Sequence, residues 1–528
     1  MNESFLLHEL VTVSAEREPH ATAVAGAFGN ADYETLAMDI SRFGAALVDA
    51  GIDRHERMGI YLEKRLETVI AMFGAAAAGA AFVPLNPVLK APQVGFIMRD
   101  CNVRALVTSA ERLVTLEHEL RDCPDLRHVI VVGANQSSSA IPVPVHAFDR
   151  FVEAGRGRRH RVIDTDVVAI LYTSGSTGKP KGVVLSHRNM VAGAKSVASY
   201  LDNVASDSLL AVLPLSFDAG FSQLTTAFHA GARVVLLNHL LPRDVIAALR
   251  NERITGLTAV PPLYIQLAEL DWPAEIGEHL RYFANTGGRM PLETLRRLRA
   301  RVPKAKPFLM YGLTEAFRST YLPPGEVDRR PDSIGKAIPN AEILVLREDG
   351  TPCAPNEPGE LVHRGALVGL GYWNDPAKTA ERYKRIERAG LMLPEYAVFS
   401  GDTVRTDEEG YLYFIGRRDE MIKTSGYRVS PTEIEEALYS TQLVGEAAAF
   451  GIEHPVLGQS IIVIATRAAG AEADARTIIA ACRERLPGYM VPSHVELRAG
   501  PLPRNANGKI DRKRLAGEFA ERPRATIE

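Results

Sequence analysis

Tyr172 to Gly182 reads YTSGSTGKPKG: three glycines, four serine or threonine hydroxyls and two lysines, with no acidic side chain. Glycines let backbone N–H groups approach and converge on one anion, and hydroxyl and ammonium groups add further donors. The stretch is a candidate phosphate cradle. It is not a P-loop, which needs a glycine five residues before its Gly-Lys pair and a hydroxyl residue after it. Here Gly178-Lys179 is followed by Pro180 and preceded at that distance by Thr173. Three more polar, small-residue loops follow: LSFDAG, NTGGR and YGLTEA.

Each of these loops directly follows an apolar, β-branched run. From about Val167 to Glu315 the runs are VVAILYT, GVVLSH, LLAVLPL, ARVVLLN, GLTAVPP, LRYFANT and PFLMYG. Most are followed by a helical stretch, the alternation of an α/β fold with buried strands. RMGIYL, AFVPLNP, RALVTS and HVIVVG repeat the rhythm nearer the N-terminus, so two packed α/β subdomains are expected. In open α/β sheets ligands bind beyond the carboxyl ends of strands, which sends the polar loops to one crevice. After Ile338, short strands joined by Asp-Gly, Glu-Gly and Pro-Gly turns predict a small β-rich subdomain. YRVSPTEIEEALY then predicts a helix with Ser430 as N-cap, Pro431 at its first position and a capping box to Glu433. A compact α+β unit follows, and the domain boundary is placed at Gly416–Asp419. The division expected is 1–417 and 418–528, the second being the smaller and mobile part. Residues 134–161 read as a surface loop.

The composition fits a globular enzyme. The apolar fraction is 46% and the net charge −3, with no basic excess for nucleic acid. The cysteines Cys101, Cys123, Cys353 and Cys482 form no CxxC pair, which suggests neither a disulfide framework nor a zinc site and fits a cytoplasmic location. The N-terminus lacks a basic n-region and does not read as a signal peptide. The uncharged stretch Thr68–Leu89 is broken by Pro84 and Pro87 and reads as a buried helix (Thr68–Ala78) and a strand (Ala81–Leu85), not a membrane span.

YTSGSTGKPKG resembles the signature loop of the adenylate-forming (AMP-binding) enzymes: acyl-CoA synthetases, peptide-synthetase adenylation domains and luciferases. Other motifs of that family follow in order over nearly the whole chain: YGLTE (311–315), GELVHRGALVGLGYWNDPAKTAERY (359–383), SGDTVRTDEEGYLYFIGRRD (400–419), IKTSGYRVSPTEIE (422–435) and PRNANGKIDR (503–512). The resemblance implies ATP, Mg²⁺ and a thiol acceptor, CoA or the phosphopantetheine of an acyl carrier protein. It assigns Thr173, Ser174, Ser176, Thr177 and Lys179 to the ATP phosphates, with Gly288 and Gly312 also lining the nucleotide site. Tyr311 would stack on adenine, Thr314 would bond the α-phosphate, and Glu315 would hold Mg²⁺. Asp402 and Arg417 would reach the ribose. Lys509 would be the catalytic lysine, bridging substrate carboxylate and α-phosphate so that two anions can meet. Asp419 matches the hinge; Lys423 and Gly426 match the loop lining the thiol tunnel. Each of these residues alone has a plainer reading: Asp402 as a turn residue, Lys509 as a solvated turn lysine, Asp419 as an inter-domain ion pair.

The loop PLSFDAGF (214–221) would line the acid pocket, with Phe217 and Gly220 shaping it and Gly287 leaving room for the substrate. Asp218 leaves two alternatives: it binds the α-ammonium in amino-acid-activating members, and is structural in acyl-CoA ligases. The overall texture is similar to AMP-forming acyl-CoA ligases of exosortase-A-associated loci. The leading expectation is an acid–thiol ligase acting on a small carboxylic acid through an acyl-adenylate. An amino-acid adenylating enzyme loading a separate carrier, and a non-catalytic nucleotide-binding scaffold, stay open.

Overall fold

A computed structural model describes residues 3–133, 141–157, 160–173, 180–386, 395–417, 420–424, 427–454, 457–505 and 508–521. Its fold is mixed α/β, with a large N-terminal part built on two sheets and a smaller C-terminal part built on a third.

The first sheet has a parallel core in the spatial order Thr22–Gly26, Arg233–Leu236, Ser208–Ala211, Gly256–Ala259, Tyr282–Asn285 and Lys306–Tyr311. The connection from Ser208–Ala211 runs one way, to Arg233–Leu236, and that from its other neighbour Gly256–Ala259 runs the opposite way, to Tyr282–Asn285. Ser208–Ala211 stands at the topological switch point, the place where open α/β sheets hold ligands. The second sheet stacks Ala81–Pro84, Arg57–Tyr61, Val103–Ser109 and His128–Val132 in parallel, with the hairpin Val167–Thr173/Lys181–Ser186 at its other side. The strands after Ile338 do not stand apart as a separate sheet. Leu412–Arg417 pairs antiparallel with Ser333–Ala337, so Gly359–Gly365 and Glu395–Thr406 continue the first sheet. That pairing joins segments about 80 residues apart, beyond the reach of any local pattern. Residues 134–161 also differ from the expected loop: the described part carries the strand Val145–Ala147 and the helix Phe148–Ala154.

The two sheets share one apolar core. Phe73 of the helix Leu66–Ala78 and Phe82 of the second sheet meet Phe221 and Phe228, both on the helix Asp218–Ala230 that follows the switch strand. Ring centroids lie 5.1–5.8 Å apart, with Phe221 against Phe82 and Phe73, and Phe73 against Phe228. The cluster fixes the helix that begins at Asp218. Gly231 ends that helix in the left-handed conformation, φ 75°.

The third sheet holds Ile422–Thr424, Tyr427–Val429, Val444–His454, Gly458–Arg467 and His494–Arg498. The helix Pro431–Ser440 starts as expected, but the capping box is not made: the Ser430 side chain caps no backbone amide. Its buried hydroxyl is turned toward Gly416, where an added Cβ would lie 3.3 Å away. Glu436 of this helix accepts a hydrogen bond from the Leu292 amide at 3.2 Å and docks the C-terminal part on the first. Among the described residues no helix is long and apolar enough to cross a membrane.

Phe221→Ala should cost about 3–5 kcal/mol of stability, the range for a fully buried aromatic. Chemical denaturation checks this. A change under about 1 kcal/mol would mean the aromatic cluster does not hold the two sheets together.

Candidate active site

Four adjacent parallel strands end at one edge, and their carboxyl-terminal loops build the cleft. Ser208–Ala211 leads to Asp218, Tyr282–Asn285 to Gly287 and Gly288, and Lys306–Tyr311 to Gly312 and Thr314. Gly256–Ala259 supplies the fourth wall through Val260 and Pro261, which a Cβ on Gly287 or Gly288 would meet at 3.2–3.3 Å. Gly287 needs its glycine for a second reason, a φ of 76°.

Asp218 sits at the start of its helix and is engaged by two donors. Thr314 Oγ1 donates to its Oδ1 at 3.2 Å, and Arg318 Nη1 donates to its Oδ2 at 3.0 Å. The Arg318 side chain is 2% exposed, and among the described residues its Nε finds no acceptor. The backbone aims this arginine. Phe317 has φ 58° and ψ −56°, and the Arg318 amide donates to the Ala316 carbonyl at 2.6 Å. This is a γ-turn of the strained kind, costing on the order of 1–3 kcal/mol. Phe317 is fully buried, and its ring lies where a Cβ on Gly193 would come within 2.2 Å. A missing side chain on one helix thus provides the socket that holds the turn.

Tyr311 and Asp402 form the next group. The Tyr311 hydroxyl donates to Asp402 Oδ2 at 2.5 Å, and Arg417 Nε stands 3.5 Å from Asp402 Oδ1. Burial raises the Asp402 pKa, while Arg417 and Tyr311 act to lower it. Asp402 lies on the strand Glu395–Thr406, not in a turn, opposite Arg417 in the antiparallel register.

Lys509 closes the cleft from the C-terminal part. Its Cε lies 3.5 Å from the Cβ position of Gly287. Its ammonium senses Arg417, Asp218, Asp402 and Glu420. The lysine keeps access to solvent, yet the cleft walls desolvate its ammonium, and that desolvation, followed by repulsion from Arg417, lowers its pKa. In this structure Lys509 stands at the cleft.

Glu315 points to a neighbouring recess. Tyr372 donates to its Oε1 at 2.5 Å. Lys181 stands 5.5 Å from the Tyr372 ring, and burial, then Lys378 and Arg382, lower its pKa. Among the described residues no hydrogen bond engages the second Glu315 oxygen, and no cluster of three metal-ligating side chains occurs. One available carboxylate among cations fits a magnesium ion held chiefly by substrate phosphates.

Some expected residues fall elsewhere. A Cβ on Gly220 would meet the Pro214 carbonyl at 1.9 Å, so this glycine closes the loop onto the helix and does not open the pocket. Phe217 is the half-buried N-cap of that helix, and Thr173 ends its strand opposite Lys181. Lys423 lies on Ile422–Thr424, its backbone opposite Arg428. Ser174, Ser176, Thr177, Lys179, Asp419 and Gly426 lie outside the described residues. Sequence reading missed Arg318, Tyr372 and Arg382. Arg318 had one local signal, a lone cation between apolar and hydroxyl residues in TEAFRSTYL.

Residues 11–373 match the AMP-binding enzyme family and residues 433–509 its C-terminal domain. The chain is 31% identical to an L-proline--[L-prolyl-carrier protein] ligase of Pseudomonas fluorescens, over 97% of this chain and 99% of that protein. It is 26% identical to a long-chain-fatty-acid--CoA ligase of Bacillus subtilis, over 98% and 95% respectively. It spans only 8% and 6% of two much longer curated relatives. The solved structure of the anthranilate CoA ligase AuaEII with anthranoyl-AMP superposes with a TM-score of 0.87 at 23% identity, covering 98% of both chains. The chain belongs to the AMP-binding enzyme family, the adenylate-forming ligases.

Proposed function

We propose that the protein is an AMP-forming acid–thiol ligase. It activates a small carboxylic acid with ATP, then passes the acyl group to a thiol of CoA or of a carrier protein's phosphopantetheine. The observation that carries this reading is Lys509 at the mouth of the switch-point cleft, 3.5 Å from the Gly287 Cβ position and within the field of Asp218 and Asp402.

In the first step a carboxylate oxygen attacks the α-phosphorus and pyrophosphate leaves. No side-chain base is required, because the acid is already ionised. The barrier is repulsion between two anions, and an ammonium between them lowers it. Lys509 would supply that ammonium, and the Thr314 hydroxyl, on turning from Asp218, would donate to the α-phosphate. Tyr311 and Asp402 offer the nucleoside a ring face and an acceptor for ribose hydroxyls, and Arg417 adds a donor. A magnesium ion between Glu315 and the phosphates would offset the charge of the leaving pyrophosphate. In the second step the thiolate sulfur attacks the acyl carbon and AMP leaves. Lys423 and Gly426 are assigned to the thiol path and Asp419 to the hinge between the two steps.

The 31% identity to a prolyl-carrier ligase favours a second reading, an amino-acid adenylating enzyme. It needs Asp218 to receive an ammonium. Against it, both Asp218 oxygens already have donors, one of them a buried guanidinium. If the preferred substrate were an amino acid, Asp218→Ala would abolish its turnover. Unchanged turnover would end that reading.

The ligase reading predicts acid-dependent exchange of labelled pyrophosphate into ATP. Lys509→Ala should lower it by about 10²–10³-fold, with ATP affinity measured by calorimetry changed far less. Exchange as fast as in the wild type would remove Lys509 from the chemistry. The direction of the Lys509 shift gives a further expectation. The ammonium is the acting form and its pKa is lowered. The alkaline limb of kcat/KM, which reports free-enzyme groups, should therefore fall below the ordinary lysine value of about 10.4. Lys509→Arg should lack that limb. A wild-type limb at the ordinary value, or the same limb in the arginine variant, would contradict the assignment.

A further inference from the structure

We propose that Arg318 makes the enzyme selective for short hydroxy- or oxo-acids, a reading that rests on the acid-activating function above. Beside Arg318 lies a small cavity of about 20 Å³, bordered on one side by the polar Arg318, Gln223 and Thr226 and on the other by the apolar Val197, Leu201 and Leu209. That volume holds about one water-sized group, too little for a long alkyl chain.

Two fully buried polar side chains line this cavity with an atom unpartnered among the described residues, Arg318 through Nε and Thr226 through Oγ1, each residue 2% exposed. Gln223, by contrast, is saturated by the Leu213 amide and the Leu210 and Thr258 carbonyls. A buried guanidinium N–H without an acceptor is costly, so the missing partner is an acceptor atom. Its charge follows from the neighbours. Arg318 is already neutralised by Asp218 at 3.0 Å. A second carboxylate on the substrate would face Asp218, and an ammonium would face Arg318. A neutral oxygen would meet the Arg318 Nε–H and the Thr226 hydroxyl, next to the Tyr200 hydroxyl that also acts on this arginine. The strained turn at Phe317 is consistent with this role, because it is the element that points Arg318 inward.

The test is pyrophosphate exchange with matched acids: butyrate against 3-hydroxybutyrate, hexanoate against 5-oxohexanoate, with succinate, alanine and hexadecanoate alongside. The wild type should favour each oxygenated acid over its alkyl partner by about tenfold or more in kcat/KM, as expected where a buried donor is otherwise left unpaired. Arg318→Met should erase that preference. The charge-balanced Arg318→Met/Asp218→Asn variant, checked for ATP binding by calorimetry, guards against loss of folding from an unpaired buried carboxylate. A wild type that prefers alkanoates, succinate or alanine overturns the proposal and leaves acid activation standing. So does a preference that survives Arg318→Met. No exchange with any acid would overturn both.

Discussion

The cleft depends on the register of neighbouring parallel strands. Ser208–Ala211, Gly256–Ala259, Tyr282–Asn285 and Lys306–Tyr311 pair side by side and end at one edge. Residues far apart in the chain, such as Asp218 and Thr314, come within hydrogen-bond distance because their strands stop together. The helix that carries Asp218 is held from behind by phenylalanines shared with the second sheet. The stability of the large core and the position of the pocket wall are therefore one mechanical problem.

Charge in the cleft is arranged in pairs with distinct settings. Asp402 is buried beside Tyr311 and Arg417, so desolvation and attraction oppose each other there. Asp218 and Arg318 face each other with little access to solvent, and breaking such a pair from one side leaves an uncompensated charge. Among the described residues no carboxylate forms an ion pair with Lys509. The lysine comes from the C-terminal part, after the last strand of the third sheet, and Asp218, Asp402 and Glu420 act on its ammonium at longer range. A cation kept this way is available to an anion that arrives, unlike Arg318, whose charge is already committed.

Much of this could be read in the sequence where the signal is local. Apolar runs followed by small polar loops marked the strands of the first two sheets and the crevice at their ends. Asp402 and Lys509 carried no local signal, and only the order of motifs around them raised them above turn residues. What stayed hidden was long-range pairing. The contact of Asp218 with Arg318 spans 100 residues. The joining of the β-rich strands to the first sheet through Ser333–Ala337 and Leu412–Arg417 spans about 80. Ser430 has the residue type of a capping box, but its hydroxyl is buried beside Gly416 and caps no backbone amide. Gly220, read as shaping the pocket, gives clearance for the Pro214 carbonyl.

The socket at Gly193 places a limit on how this pocket can be redesigned. Gly193 belongs to the helix His187–Tyr200, which follows directly from the strand Lys181–Ser186. It touches neither Asp218 nor the cavity beneath it, yet its missing side chain makes the space for the Phe317 ring and hence the turn before Arg318. Any sequence that inherits a different pocket floor must inherit a compatible residue at this remote helix position as well. Recombining segments across the stretch between them would separate the lock from its key.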